Sequence, residues 1–258
     1  MRARPTAVGN RSVPPGWSFL SAFVPLLLSL GVAACGEGEP PPSDPEVVWD
    51  MAEPWVYEAG MLLGDDWRFS IAAADSLPSE LVERVAEATT QFDGDLRILA
   101  VTRGGCIDSA HSIPYLAAVA EAVPGLTMRS VEPRVGRALM EAHPTPDGRA
   151  ATPTVLVLDE LGEVRGCWIE RPASVQYWYL ENPEDLGSVE KFAAKTTWYE
   201  ADRGVHAVTE FARVLEAAAG GDRICGFPMD SVPVLPEPGR SRAQFRGDSA
   251  APALAGGG

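Results

Sequence analysis

The chain has 258 residues, with 21 Lys and Arg against 36 Asp and Glu, a formal net charge of −15. Such acidity argues against nucleic acid and anionic lipid surfaces as partners, and it names no ligand. About 170 residues separate two low-complexity ends, enough for one domain with a real core.

In chain order, Arg2, Arg4 and Arg11 precede an apolar stretch from Phe19 to Ala34, with no acidic residue before Glu37. A basic start, a short apolar core and small residues before a cut describe a secretory signal. The stretch is short for a membrane span and Pro25 interrupts it. Its ending, Val32-Ala-Ala-Cys35, resembles the lipobox of bacterial lipoproteins. The likeness implies cleavage before Cys35, diacylation of its thiol (a palmitate-type anchor) and an exported protein on a membrane, facing the periplasm or cell exterior. An ordinary signal peptide, or a span ending by chance in cysteine, is the alternative. Gly36 after the lipidated cysteine resembles outer-membrane sorting in a host with two membranes. Without its signal the chain carries 18 basic against 36 acidic side chains, or −18.

The expected organisation is a signal over 1–34, a disordered tether over 35–46, an N-terminal extension over 47–76, a domain over 77–219 and a mostly disordered tail over 220–258. The extension carries Trp49, Trp55, Tyr57, Trp67 and Phe69 with no clean period. Leu77–Ala88 reads as a helix capped by Ser76, with Pro78 in its first turn and Leu81, Val82, Val85 and Ala86 on one face. Leu96–Val101 is a buried strand, and Ile107–Val123 a helix kinked at Pro114. Leu126–Val131 alternates as a second strand, and a short helix from Val135 to Ala142 turns Leu139 and Met140 inward. Thr154–Leu158 and Val164–Ile169 form an antiparallel hairpin around Asp159-Glu-Leu-Gly162. Helices resume from Val189 to Ala218 with a break near Gly204 and a stripe of Val205, Val208, Phe211, Ala212 and Leu215. A parallel pair made by a crossover, then a hairpin joining the same sheet, is the expected assembly.

Apart from Cys35 the cysteines are Cys106, Cys167 and Cys225. An odd number leaves at least one thiol unpaired within the chain. Cys106 opens a helix after a strand, where free N–H groups and the helix dipole favour a thiolate. Cys167, beside Trp168 on a strand, reads as structural. Cys225 is its candidate disulfide partner, although sequence does not fix that geometry. His111, His143 and His206 are scattered, so no metal or other cofactor is expected.

Ala151-Thr-Pro-Thr-Val-Leu-Val-Leu158 with the hairpin after it resembles the thioredoxin-fold pattern of a cis-proline, a buried strand and a hairpin. The resemblance implies an α/β, thioredoxin-like fold with a central mixed four-stranded sheet flanked by helices, and it places Pro153 against Cys106. Pro114 matches the kink proline of the helix that follows the nucleophile. Cys106, Asp108 and Ser109 resemble the monothiol motif Trp-Cys-Gly-Asp-Ser of a subgroup labelled thioredoxin family protein. So do Ile113-Pro-Tyr-Leu116, Glu170-Arg-Pro172 and Trp198-Tyr199. The likeness runs from about Leu77 to Leu215. Two departures stand out: Gly105 replaces the Trp before the nucleophile, and Ile107 replaces the Gly after it.

With Ser109 where a second cysteine would lie, Cys106 can complete only exchange that another thiol resolves. The expected site is therefore Cys106, Ser109, Pro153 and Asp108. Ser109 is a candidate donor to the thiolate, and Asp108 repels it unless Arg103 or His111 offsets the charge. The expected partners are exported proteins or small-molecule thiols and disulfides, with the membrane reached through the anchor. The alternatives are a non-catalytic binding or assembly lipoprotein and a peroxide-reducing thiol enzyme, for which only Thr102 and Arg103 lie nearby in sequence.

Overall fold

The computed structural model describes residues 40–57, 60, 63–181 and 187–226, all within one compact unit, Pro40–Gly258. The expected signal, Cys35 and the tail after residue 226 lie outside the described residues.

The extension is folded, and its order begins inside the stretch expected to be a tether. Helix α1 (Pro45–Met51) starts with Pro at its first turn, and the Asp44 carboxylate accepts from the Glu46 N–H at 2.9 Å. Val48 and Trp49 face inward against Leu99, Val101, Leu156 and Leu158. The guanidinium groups of Arg97 and Arg129 lie 5.3 and 4.7 Å from the Trp49 ring. Strand β1 (Glu53–Pro54) then pairs antiparallel with β3 (Leu126–Val131). The sheet consequently has five strands, in the order β1-β3-β2-β4-β5, and not the four expected. Two-residue β1 carries no period-2 signal, so sequence patterning could not reveal it.

Helix α2 (Asp65–Ala74) is followed by α3 (Ser79–Thr89). The Ser76 hydroxyl donates to the Ala73 carbonyl at 2.6 Å, so it finishes α2 instead of capping α3. Strands β2 (Leu96–Val101), β3, β4 (Thr154–Leu158) and β5 (Val164–Ile169) fall where the apolar runs predict them. β2 pairs parallel with β3 and antiparallel with β4, and β4 pairs antiparallel with β5. Period-2 alternation divides the central strand between two cores. Leu96, Ile98 and Ala100 meet Val85, Leu116, Val208 and Phe211 on one side. Leu99 and Val101 meet α1 and Leu139 and Met140 of helix α6 (Arg137–Ala142) on the other.

The single kinked helix expected over 107–123 is two helices, α4 (Ile107–Ala110) and α5 (Ile113–Ala122). Pro114 lacks an N–H and tolerates only a first turn, so the chain breaks at His111-Ser112 and starts again. Helix α7 (Ala173–Glu181) was not anticipated. Its residues 173–179 include five aromatic or aliphatic side chains without a one-sided polar face, so periodicity is silent there. Helices α8 (Ser188–Asp202) and α9 (Val205–Ala219) meet at Arg203 and Gly204, which have φ of 51° and 76°. A Cβ on Gly204 would lie 2.1 Å from the Tyr115 ring, so both the backbone angle and the close approach require glycine.

The start of the expected disordered tail is pinned to the sheet. Cys225 forms a disulfide with Cys167, 58 residues earlier, and the Cys167 N–H donates to the Ile224 carbonyl at 2.9 Å. On the chain-entropy account, closing a loop of this length contributes about 4 kcal/mol.

Candidate functional site

Cys106 occupies the N-cap of α4 with extended backbone angles and is half-buried. It lies at the end of the loop that leaves β2, so the sheet fixes its position. Thr152-Pro153 is a cis peptide at the start of β4. The two meet: the Cys106 thiol donates to the Thr152 carbonyl oxygen at 3.2 Å. The Glu170 N–H donates to the Pro153 carbonyl at 2.7 Å, tying the proline turn to the end of β5.

A cavity of about 230 Å³ opens beside the sulfur, lined by Leu63, Trp67, Gly104, Ile107, Ala110 and Phe192, among others. Leu63 and Phe192 stand roughly half exposed on its rim, at 46% and 54%. Trp67 is a contribution of the extension that sequence reasoning missed. Its Nε1–H donates to the Gly104 carbonyl at 2.9 Å, and its ring stacks on Trp55 at 5.3 Å. The tryptophan missing at Gly105 is thus partly offset by one from α2, which supports the loop from beneath and does not present a face to a partner. A Cβ on Gly105 would meet nothing nearer than the Arg103 guanidinium at 4.0 Å, so a side chain has room there.

Asp108 does not face the sulfur as an unmatched charge. It is buried, with one oxygen accepting from Tyr199 Oη–H at 2.6 Å and the other from Lys195 Nζ at 2.8 Å. The Arg171 guanidinium lies 3.8 Å away. Arg171 also contacts Glu170, which is held by Arg149 through contacts at 3.2 and 3.0 Å. Positive and negative groups alternate through this chain, as burial of charge demands. Burial opposes the charge of Arg171, yet Asp108 and Glu170 raise its pKa above the ordinary value. Burial and then the neighbouring Asp108 carboxylate push the Tyr199 phenol far up, so it remains a donor. The charge offset expected from Arg103 or His111 comes instead from Lys195 and Arg171. Lys195 carried no signal in the sequence, because it is one lysine on a polar helix.

The Ser109 hydroxyl is fully buried and has no hydrogen-bond partner. It makes no bond to the Cys106 sulfur, because the helical turn directs it into the core. His111 is buried, stacked on Tyr199 at 4.9 Å, with Nδ1 3.2 Å from the Ser70 hydroxyl and Nε2 3.5 Å from Asp66. Burial lowers its pKa despite Asp66, which leaves the ring neutral near pH 7. α4 is a single short turn of four residues, so the macrodipole expected to favour a thiolate is correspondingly small.

The fold order, the cis-proline and the cysteine that touches it coincide with a match to the protein-family model described as thioredoxin, over residues 76–192. The fold is thioredoxin-like. Among solved structures, an HIV epitope-scaffold is 22% identical, covering 67% of this chain and 97% of its own, with a TM-score of 0.48. A protein of unknown function from Pseudomonas aeruginosa is 23% identical over 66% of this chain and 96% of its own, with a TM-score of 0.47. A mutant of the alkylhydroperoxide reductase component AhpF from Enterococcus faecalis is 10% identical over 51% of this chain and 74% of its own, with a TM-score of 0.31. No curated protein matches the chain. The thioredoxin-like domain also brings together side chains that the sequence scatters: among the described residues, His143, Cys167 and Cys225 form one cluster.

Proposed function

We propose that this is an exported, membrane-anchored protein in which Cys106, the one free thiol among the described residues, carries out monothiol thiol–disulfide exchange. The contact between Cys106 Sγ and the carbonyl preceding cis-Pro153 supports this reading most strongly. It sets a partly exposed sulfur at the mouth of a cavity with an apolar rim. The thiol donates in that contact, so it must leave the carbonyl and lose its proton before it attacks. The thiolate then displaces one sulfur of a substrate disulfide, giving a Cys106 mixed disulfide and a substrate thiolate. A second thiolate from outside the chain attacks the mixed disulfide, which returns Cys106 as thiolate and closes a new disulfide. Ser109 takes no part, and Asp108 positions the turn through Lys195 and Tyr199. The substrate class is a disulfide flanked by apolar groups, on an exported protein or in a small-molecule disulfide, with a thiol of either kind as the resolving partner.

In exchange assays with a mixed-disulfide substrate and an external thiol, Cys106→Ser is expected to abolish turnover while leaving the circular dichroism spectrum unchanged. Turnover that survives this substitution sinks the exchange reading. A Cys106 that alkylates no faster than a model thiol and traps no partner favours the scaffold alternative. The anchor rests on the Val-Ala-Ala-Cys35 pattern, and among the described residues no helix is long and apolar enough to cross a membrane. Cys35→Ala is expected to move the protein from the membrane pellet to the soluble fraction; continued attachment counts against lipidation.

A further inference from the structure

The cluster of His143, Cys167 and Cys225 lies at the far edge of β5, built from three separate elements. Cys167 is fully buried on β5. Cys225 is exposed on the segment after α9, and His143 caps the C-terminal end of α6. His143 Nδ1 lies 3.7 Å from the Cys167 sulfur and 3.8 Å from the Cys225 sulfur. A tetrahedral zinc with ordinary Zn–S and Zn–N bonds places sulfur and nitrogen about 3.6 Å apart. Both nitrogen–sulfur distances are therefore already those of a zinc site. Only the two sulfurs need to part, from bonded contact to about 3.8 Å, which side-chain rotation supplies.

We propose that these three residues form a redox-gated zinc site, of which the disulfide is the oxidised, metal-excluding form. Backbone pairing keeps the ligands together once the disulfide opens. The Cys167 N–H donates to the Ile224 carbonyl at 2.9 Å, and the Gly226 N–H donates to the Cys167 carbonyl at 3.3 Å. The His143 N–H is held by the Leu139 carbonyl at 3.1 Å. Two thiolates and an imidazole suit a borderline-soft cation with no geometric demand beyond a tetrahedron, and the exposed Cys225 side leaves the fourth position to water.

The chemistry balances with an external dithiol as reductant. Its two electrons break the Cys167–Cys225 bond, its two protons pass to the cysteines, and it closes into its own disulfide. Zinc binding then expels those two protons as the thiols become thiolates. Oxidation by an external disulfide runs the cycle back: two protons displace the zinc from the cysteines, and the external disulfide takes up the two electrons and two protons to become two thiols as the Cys167–Cys225 bond re-forms.

The test uses the full chain carrying Cys35→Ala and Cys106→Ser, so that only these two thiols react. Reduced with a phosphine under inert gas and titrated with Co²⁺, it is expected to bind one ion per chain. That ion should show a thiolate-to-cobalt charge-transfer band and tetrahedral d–d bands, both abolished by Zn²⁺. The oxidised protein should show neither, and His143→Ala should weaken Zn²⁺ binding by about tenfold or more. The proposal is overturned if the reduced chain shows no charge-transfer band, or if His143→Ala binds Zn²⁺ as tightly. Should reduction loosen the segment, Zn²⁺ must restore amide-exchange protection at residues 222–226; failure to do so also overturns it.

Discussion

Asp108→Ala is expected to lower the stability of the folded chain by about 3–5 kcal/mol, the range for breaking a buried ion pair by removing one partner. Asp108 receives Lys195 at 2.8 Å and Tyr199 at 2.6 Å, with Arg171 at 3.8 Å, and all four groups are buried. Its removal leaves the Lys195 ammonium with no carboxylate and the Tyr199 hydroxyl with no acceptor in this cluster. Desolvation penalties survive while the attraction that offset them is lost. For a domain of this size the midpoint of thermal unfolding should fall by roughly 6–20 °C. The double variant Asp108→Ala/Lys195→Met should recover part of the loss, because it removes the stranded charge along with its partner. Scanning calorimetry of the two single variants and the double variant measures this. A loss below about 1 kcal/mol, or no recovery in the double variant, would show that the cluster is solvated like a surface salt bridge.

The same residue explains how much the sequence reveals and where it falls silent. Strands β2 to β5 and the cysteine at the strand-to-helix turn were legible because they rest on local rules, apolar runs and their ends, whereas the approach of Pro153 to Cys106 was implied by the resemblance to the thioredoxin pattern and by no spacing in the chain. The role of Asp108 was not legible, since its partners lie 87 and 91 residues away on α8. Lys195, on a helix with Glu190 and Lys191, reads as solvated until the fold buries it. Trp67 was visible as an aromatic without a period, and its bond to Gly104 is a long-range contact that no spacing encodes. Pro114 was read as a kink where it proved to be a helix start, because the rule that forbids proline in a helix interior also welcomes it in the first turn. His143 looks unrelated to the candidate pair Cys167 and Cys225 for the same reason as Asp108 and Lys195: only tertiary contacts bring it to them.

Glu210→Gln is expected to change the pH dependence of stability by roughly 3 kcal/mol between pH 4.5 and 8, the linkage equivalent of a carboxyl raised to about 7. Glu210 is buried on α9, accepting from Trp168 Nε1–H at 2.8 Å and from the Ala173 N–H at 2.8 Å. The Ala173 contact sits at the N-terminus of α7, where the dipole favours a negative charge. Burial dominates nonetheless and raises the pKa, with both hydrogen bonds and His206 opposing it. The folded carboxyl therefore holds its proton more tightly than the unfolded one. Its stabilising contribution is complete below the unfolded pKa, and it is lost as pH rises through about 7. His206, raised by Asp202 against burial, contributes in the same direction, whereas His111 and His143, lowered by burial, contribute in the opposite one. The wild-type curve sums these, so the quantity to measure is the difference between wild type and Glu210→Gln in denaturant titrations across the range. Relative to wild type, the glutamine variant should become steadily more stable as pH rises to 8. A flat difference would mean that the Glu210 carboxylate is already ionised at pH 5 and that Trp168 and Ala173 offset its burial. The consequence reaches the site, because the N-terminus of α7 follows directly from Glu170 and Arg171, the pair that links the cis-Pro153 turn to Asp108. A carboxyl that gains its charge near neutral pH on the far side of that turn puts the cost of desolvation beside the scaffold of Cys106.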